Sequence, residues 1–248
     1  MILYERTQQN GTQYTPYTGS RRVQEDRSPL QTKLPEVLLF GSHVTAAVFL
    51  SNILLHEIST SSVSINSDGT TDPTFFDHVY HTYYHSFCSS FHMESESFDV
   101  HTRQMMILLK RSETVLASNG VYSLSPSIIM AAVQKPTFLF DTFWNRVQWS
   151  ALFPSMPSVA EQMFAERYEL VSLVLEYGHS FFLDEFARDF LIVSGIQMRN
   201  EILFTSFLDF SIIRWFSFFG LTEYSVTSDD LRIRVTVTPH FRTAISRI

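Results

Sequence analysis

Past Gly220 the spacing of apolar residues changes from helical to alternating, and this change restricts the chain more than any other feature. Leu231, Ile233, Val235 and Val237 alternate with Arg232, Arg234, Thr236 and Thr238, the pattern of a strand with one covered face. Tyr224 and Val226 precede them across Thr227-Ser228-Asp229-Asp230, a run with turn chemistry, so the two stretches are expected to pair as a hairpin. The apolar face of that hairpin needs a cover, and the helices just before it are the nearest candidates.

Those helices can be read from their stops. The stretch from Leu183 to Ser194 carries Phe186, Phe190, Leu191 and Val193 on one side and Arg188 and Asp189 on the other, with Gly195 as terminator. Asn200 offers a cap, with Glu201 beside it, for a short helix from Ile202 to Leu208. Asp209 or Ser211 can cap a third helix that ends at Phe219, with Gly220 just past its end.

Three helices followed at once by a two-stranded hairpin resemble the winged-helix superfamily, over about residues 183 to 248. The resemblance rests on Phe219-Gly220-Leu221, Glu223, the hairpin, and the exit Val237-Thr238-Pro239-His240-Phe241-Arg242. It is a likeness of layout and points to no single family. The fold class expected is mainly α: a helical N-terminal part followed by a winged-helix-like domain of three helices plus a β-hairpin wing.

In DNA-binding winged helices the third helix enters the major groove and needs a polar, basic face. Between Asp209 and Phe219 the only basic residue is Arg214, and Phe210, Ile212, Ile213, Trp215, Phe216, Phe218 and Phe219 make the segment apolar nearly all round. A helix of that kind belongs in a core or an interface. The expected interaction surface is therefore Arg214, Trp215 and Phe218, serving a protein partner or self-association. Arg214, Arg232, Arg234 and Arg242 are the candidate nucleic-acid contacts for the alternative, a sequence-specific DNA-binding regulator. Arginines two apart on a solvent-facing strand also read as plain surface.

Composition bears on the same choice. With 18 Lys and Arg against 25 Asp and Glu, the formal charge of −7 opposes a polyphosphate backbone, so nucleic-acid binding is disfavoured. Twenty-three Phe against eight Gly imply a thick apolar interior or an apolar surface kept for a partner. The single cysteine, Cys88, cannot form an internal disulfide, which fits a reducing, cytoplasmic location. The start of the chain lacks the pattern of a secretory signal. The charge-free run from Val37 to His56 contains Gly41, Ser42, His43, Thr45, Ser51 and Asn52, so it reads as a buried helix and no membrane span is expected.

Along the chain, residues 1–33 read as a flexible polar arm, 34–157 as a helical domain, and 158–248 as a linking helix plus the winged-helix-like domain. Within the middle part, helices are expected from Pro35 to about Ile58, Pro73 to about Met93, Asp99 to Ala117, Ser127 to Val133 and Phe138 to Phe153. The segment from Ser59 to Pro73 reads as a loop, and Val121 to Leu124 as a short strand or turn. Asn119-Gly120 reads as a helix stop, and Pro154 and Pro157 mark the domain border. Ser158 to Tyr177 reads as one amphipathic helix capped by Ser158 and ended by Gly178.

Candidate chemistry is sparse. His78, His81 and His85 fall along one helical stripe, a spacing that could hold a transition metal, which is the basis of a third reading as a metal-dependent enzyme. The interleaved Val79, Tyr80, Tyr83, Tyr84 and Phe87 favour a half-buried helix with histidines at its border instead. Glu176-Tyr177-Gly178-His179 is one Glu-x-x-His string, where bundle di-metal sites need two. There is no nucleophile elbow and no Gly-rich phosphate loop. The leading expectation is a non-enzymatic interaction module without cofactor or catalytic residues.

Overall fold

The computed structural model describes residues 45–91, 95–125, 138–227 and 231–246. The polar arm expected over 1–33, the start of the helix expected from Pro35 and the helix expected over 127–133 lie outside them.

Mainly helical architecture is what the described residues form, with two small antiparallel sheets among them. Helix α1, Ala46–Thr60, starts later than its apolar run because Thr45 is extended (φ −84°, ψ 162°) and its hydroxyl accepts the Val48 amide. A single helix running through Thr45 is thereby excluded. Ala46, Ala47, Leu50, Ile53 and Leu54 are all nearly inaccessible, so α1 is an inner helix. Packed against it are α2, Pro73–Phe91, and α3, Ser95–Arg111.

Helix α3 stops six residues short of the expected Ala117. Glu113 turns the chain with a positive φ of 60°, and Val115–Ser118 becomes strand β1. It pairs with β2, Val121–Leu124, through Asn119 and Gly120 at φ 53° and 77°. Two successive positive φ angles are the signature of a tight hairpin turn, so Asn119-Gly120 turns a ribbon and does not stop a helix.

The helix expected over 138–153 is broken. Short α4, Phe138–Asp141, runs into a π turn at Thr142–Arg146, Val147 leaves the helix, and α5 spans Trp149–Leu152. The linking helix is likewise two: α6, Pro157–Ala165, and α7, Arg167–Tyr177, meet at Glu166, whose ψ of 16° bends the chain. Proline occupies the first turn of α6, and Ser158 makes no cap. Gly178, at φ 81°, ends α7 as expected.

Strand β3, Ser180–Phe182, follows at once, then α8, Leu183–Ser194, closed by left-handed Gly195. Helix α9, Glu201–Leu208, is capped by the Asn200 side chain on the Leu203 amide at 3.0 Å. No cap and no break occur at Asp209 or Ser211. Asp209 is helical (φ −55°, ψ −61°), the chain continues through a π turn, Asp209–Ile213, into α10, Arg214–Phe218, and the Ser211 hydroxyl donates back to the Phe207 carbonyl. The second and third helices are thus one helix with an extra residue in it.

The hairpin forms, from β4, Thr222–Val226, and β5, Ile233–Val237, with Tyr224 opposite Val235, but the alternation begins two residues later than expected: Leu231 lies outside the strand at a positive φ of 55° and is 76 % exposed. Strand β3 adds to its other side, Phe181 opposite Val235, giving the order β3-β5-β4. A last helix, α11, occupies Pro239–Ile245.

One apolar core runs from Ala46 to Ala244, across the proline pair at 154 and 157. Gln104 of α3 ties both sides: its amide donates to the Leu152 carbonyl at 2.8 Å and accepts the Trp215 indole N–H at 3.0 Å. Gly220 makes a second tie, because a Cβ there would lie 3.1 Å from the Thr45 methyl while φ is 72°. We expect Gly220→Ala to lower stability by about 2 kcal/mol, from backbone strain plus the clash. Gly195→Ala, at a similar φ of 67° but facing open space, is expected to cost about 1 kcal/mol. Urea midpoints of the two variants check the difference; equal losses would remove the steric contribution.

A candidate interaction face on α8 and α9

The extra residue in the π turn rotates everything after it by about 100° relative to a regular helix. Trp215, Phe216, Phe218 and Phe219 all turn inward as a result and are buried. Trp215 stacks on Phe143 at 5.5 Å between centroids, and Phe218 lies 4.5 Å from the His101 ring. Two members of the expected interaction surface, Trp215 and Phe218, therefore meet the chain's own helices α3 and α4–α5, not solvent. The apolar, all-round character of the segment is satisfied inside the molecule.

What the same helix leaves outside is its N-terminal half. Ile202 is 81 % exposed, Leu203 50 % and Phe210 37 %. Ile202, Ser206 and Phe210 are spaced four apart, so they form one stripe. Just before the connection of residues 195–200, Ile192 and Val193 close α8 at 72 % and 53 % exposure. Large aliphatic side chains are thus exposed on both sides of one short connection. At the edge, Arg188 and Glu201 form an ion pair at 3.7 Å, itself open to solvent.

The candidate nucleic-acid contacts are mostly occupied within the chain. Arg232 donates to Asp184 and Glu185, each at 2.7 Å, and lies 3.9 Å over the Phe182 ring. Arg214 sits 3.5 Å from Asp209 and over the Tyr224 ring. Arg234 is exposed on β5 with its guanidinium 5.0 Å over Phe182, and Arg242 is exposed on α11. The exposed stripe of α9 and its π turn carries isoleucine, leucine, serine and phenylalanine.

The histidine stripe of α2 is exposed at His78, His81 and His85. His78 Nε2 approaches Glu57 at 3.2 Å, and the Tyr83 hydroxyl donates to the same carboxylate at 2.5 Å. Among the described residues no three His, Cys, Asp or Glu side chains gather as a metal would require.

Comparison with family models, with curated proteins and with solved structures finds no match. Among the described residues no helix is long and apolar enough to cross a membrane.

Val193 was expected on the covered side with Phe186 and Phe190, seven and three residues away, but it is 53 % exposed because it falls in the last turn of α8, beyond the elements that cover the phenylalanines. Ile202 and Leu203 had no sequence signal, because in a segment apolar throughout no period tells the covered side from the open one.

Proposed function

We propose that residues 167–237 act as a winged-helix-like module whose helix-turn-helix face binds protein, with self-association as its first use. The order helix, strand, helix, helix, hairpin, with the first strand beside the last, supports the winged-helix reading of this part. The single observation that carries the protein-binding reading is the exposure of Ile192, Val193, Ile202 and Leu203 where a DNA-binding relative would present polar and basic groups. The role proposed is non-enzymatic, since what the face chiefly offers a partner is the apolar area of Ile192, Val193, Ile202 and Leu203.

Burying one such aliphatic side chain is worth about 1.5–3 kcal/mol. Val193→Glu together with Ile202→Glu is therefore expected to weaken association by at least about a hundredfold, while leaving the urea midpoint nearly unchanged, since both side chains are exposed. Sedimentation equilibrium of wild type and double variant reads this directly. A wild type that stays monomeric at high micromolar concentration, and shifts DNA fragments with a steep salt dependence, would move the reading to the regulator.

A further inference from the structure

A cavity of about 590 Å³ opens between the start of α1, the end of α2, α10 and the β4–β5 hairpin. That size suits a small organic ligand. Phe91, Phe218, Val226 and Ile233 supply an apolar wall, and Arg214 and Ser217 supply polar groups. From β4, Thr222, Tyr224, Val226 and the exposed Glu223 all border the cavity, so a carboxylate lies at its rim opposite Arg214.

Arg214 is the unusual member. Its side chain is 31 % exposed, its Nη2 lies 3.5 Å from Asp209 Oδ2, and its buried Nε has no hydrogen-bond partner among the described residues. Asp209 gives its other oxygen to the Tyr224 hydroxyl at 2.7 Å, and the guanidinium rests 4.9 Å over that ring. Burial first, then the Asp209 charge, push the Tyr224 phenol well above its usual range, so it stays a neutral donor committed to Asp209. A guanidinium has five donors in a planar fork suited to a carboxylate. Here the described residues offer it one loosely placed acceptor.

We propose that this cavity binds a small amphipathic monocarboxylate, with the carboxylate on Arg214 and the apolar body against Phe91, Phe218, Val226 and Ile233. One negative charge completes the coordination of the guanidinium. A second would meet Asp209 and Glu223, which restricts the ligand class to a single anionic group. The inference is independent of the protein-binding face, which lies on α8 and the start of α9.

Octanoate and 1-octanol, which share a chain and differ in the head group, test it by titration calorimetry on the full chain. Octanoate is expected to bind at one site about tenfold more tightly than octanol, a preference of the size a charge-assisted bidentate bond provides. Arg214→Met is expected to erase the preference, and Ser217→Trp, which fills the cavity from a half-buried position, to weaken both ligands at least about tenfold. Equal affinity of wild type for the two compounds, absence of saturable octanoate binding, or binding unchanged in Ser217→Trp would each overturn the assignment. The Ser217 variant and the comparison of ligands on wild type keep the test decisive should Arg214→Met fail to fold.

Discussion

Trp215→Ala is expected to remove about 4 kcal/mol of stability, a large share of what a domain of this size possesses. The indole is wholly buried, stacked on Phe143 and edge-on to Phe218, and its N–H is the donor to Gln104 Oε1. Truncation leaves a cavity in a close-packed aromatic layer and also an amide oxygen without a partner inside the fold. Trp215→Phe separates the two, since it keeps most of the ring area and loses only the hydrogen bond, at a cost of about 1–2 kcal/mol. Urea unfolding of both variants checks this. A loss under about 0.5 kcal/mol for Trp215→Ala would mean that the residue lies at the surface after all. The contrast with Val193→Glu and Ile202→Glu is the point of the experiment: apolar side chains of α8 to α10 divide into those that hold the fold and those that face outward.

The second large effect is acid destabilisation through His101. This imidazole is fully buried among Phe210, Trp215 and Phe218, with Nδ1 bonded to the Ser97 carbonyl at 2.6 Å. Among the described residues its Nε2 finds no hydrogen bond of good geometry, although the Phe210 carbonyl acts on the ring. Burial, and then the Arg214 charge, lower its pKa from 6.5 to about 4, against the Ser97 and Phe210 carbonyls, which raise it. In the unfolded chain the ring protonates near pH 6.5, while in the fold it stays neutral down to about 4. Between those values the unfolded chain holds more protons, so stability is complete above pH 6.5 and falls as the pH drops toward 4, by roughly 3 kcal/mol. His101→Gln is expected to flatten that part of the profile, since glutamine does not titrate there. Urea midpoints measured from pH 7 to 4 on wild type and variant give the difference, and parallel curves would refute the buried neutral imidazole.

His101 also marks the limit of reading a histidine from its neighbours. The stripe at His78, His81 and His85 drew notice by its spacing, yet those rings are exposed and gather no metal set among the described residues. His101 lies on the stripe of Phe98, Met105 and Leu108, three, four and seven residues away, all buried. That spacing was visible, but a polar ring on an apolar face is read as buried only once the opposing surface is known. Here the opposing surface is α10, more than a hundred residues later.

The same division runs through the fold. Local features were enough wherever the backbone has few options: Gly195 and Gly220 had to take positive φ and end helices, and Asn200 had to cap. Residues 233–237 had to be a strand because their alternation leaves one dry face. Three other features depended on distant partners. Strand β3 is three residues with no period of their own, and it exists because β5 presents a free edge to it. The junction at Asp209 carries cap chemistry, yet the Tyr224 hydroxyl from β4, together with Arg214 of the same helix, holds that carboxylate, and the helix runs on through a π turn. The open side of residues 202–210 and the closed side of 211–219 were settled only by packing. An apolar segment without a polar face can bury any side, and the energy of burial is decided by what comes to cover it.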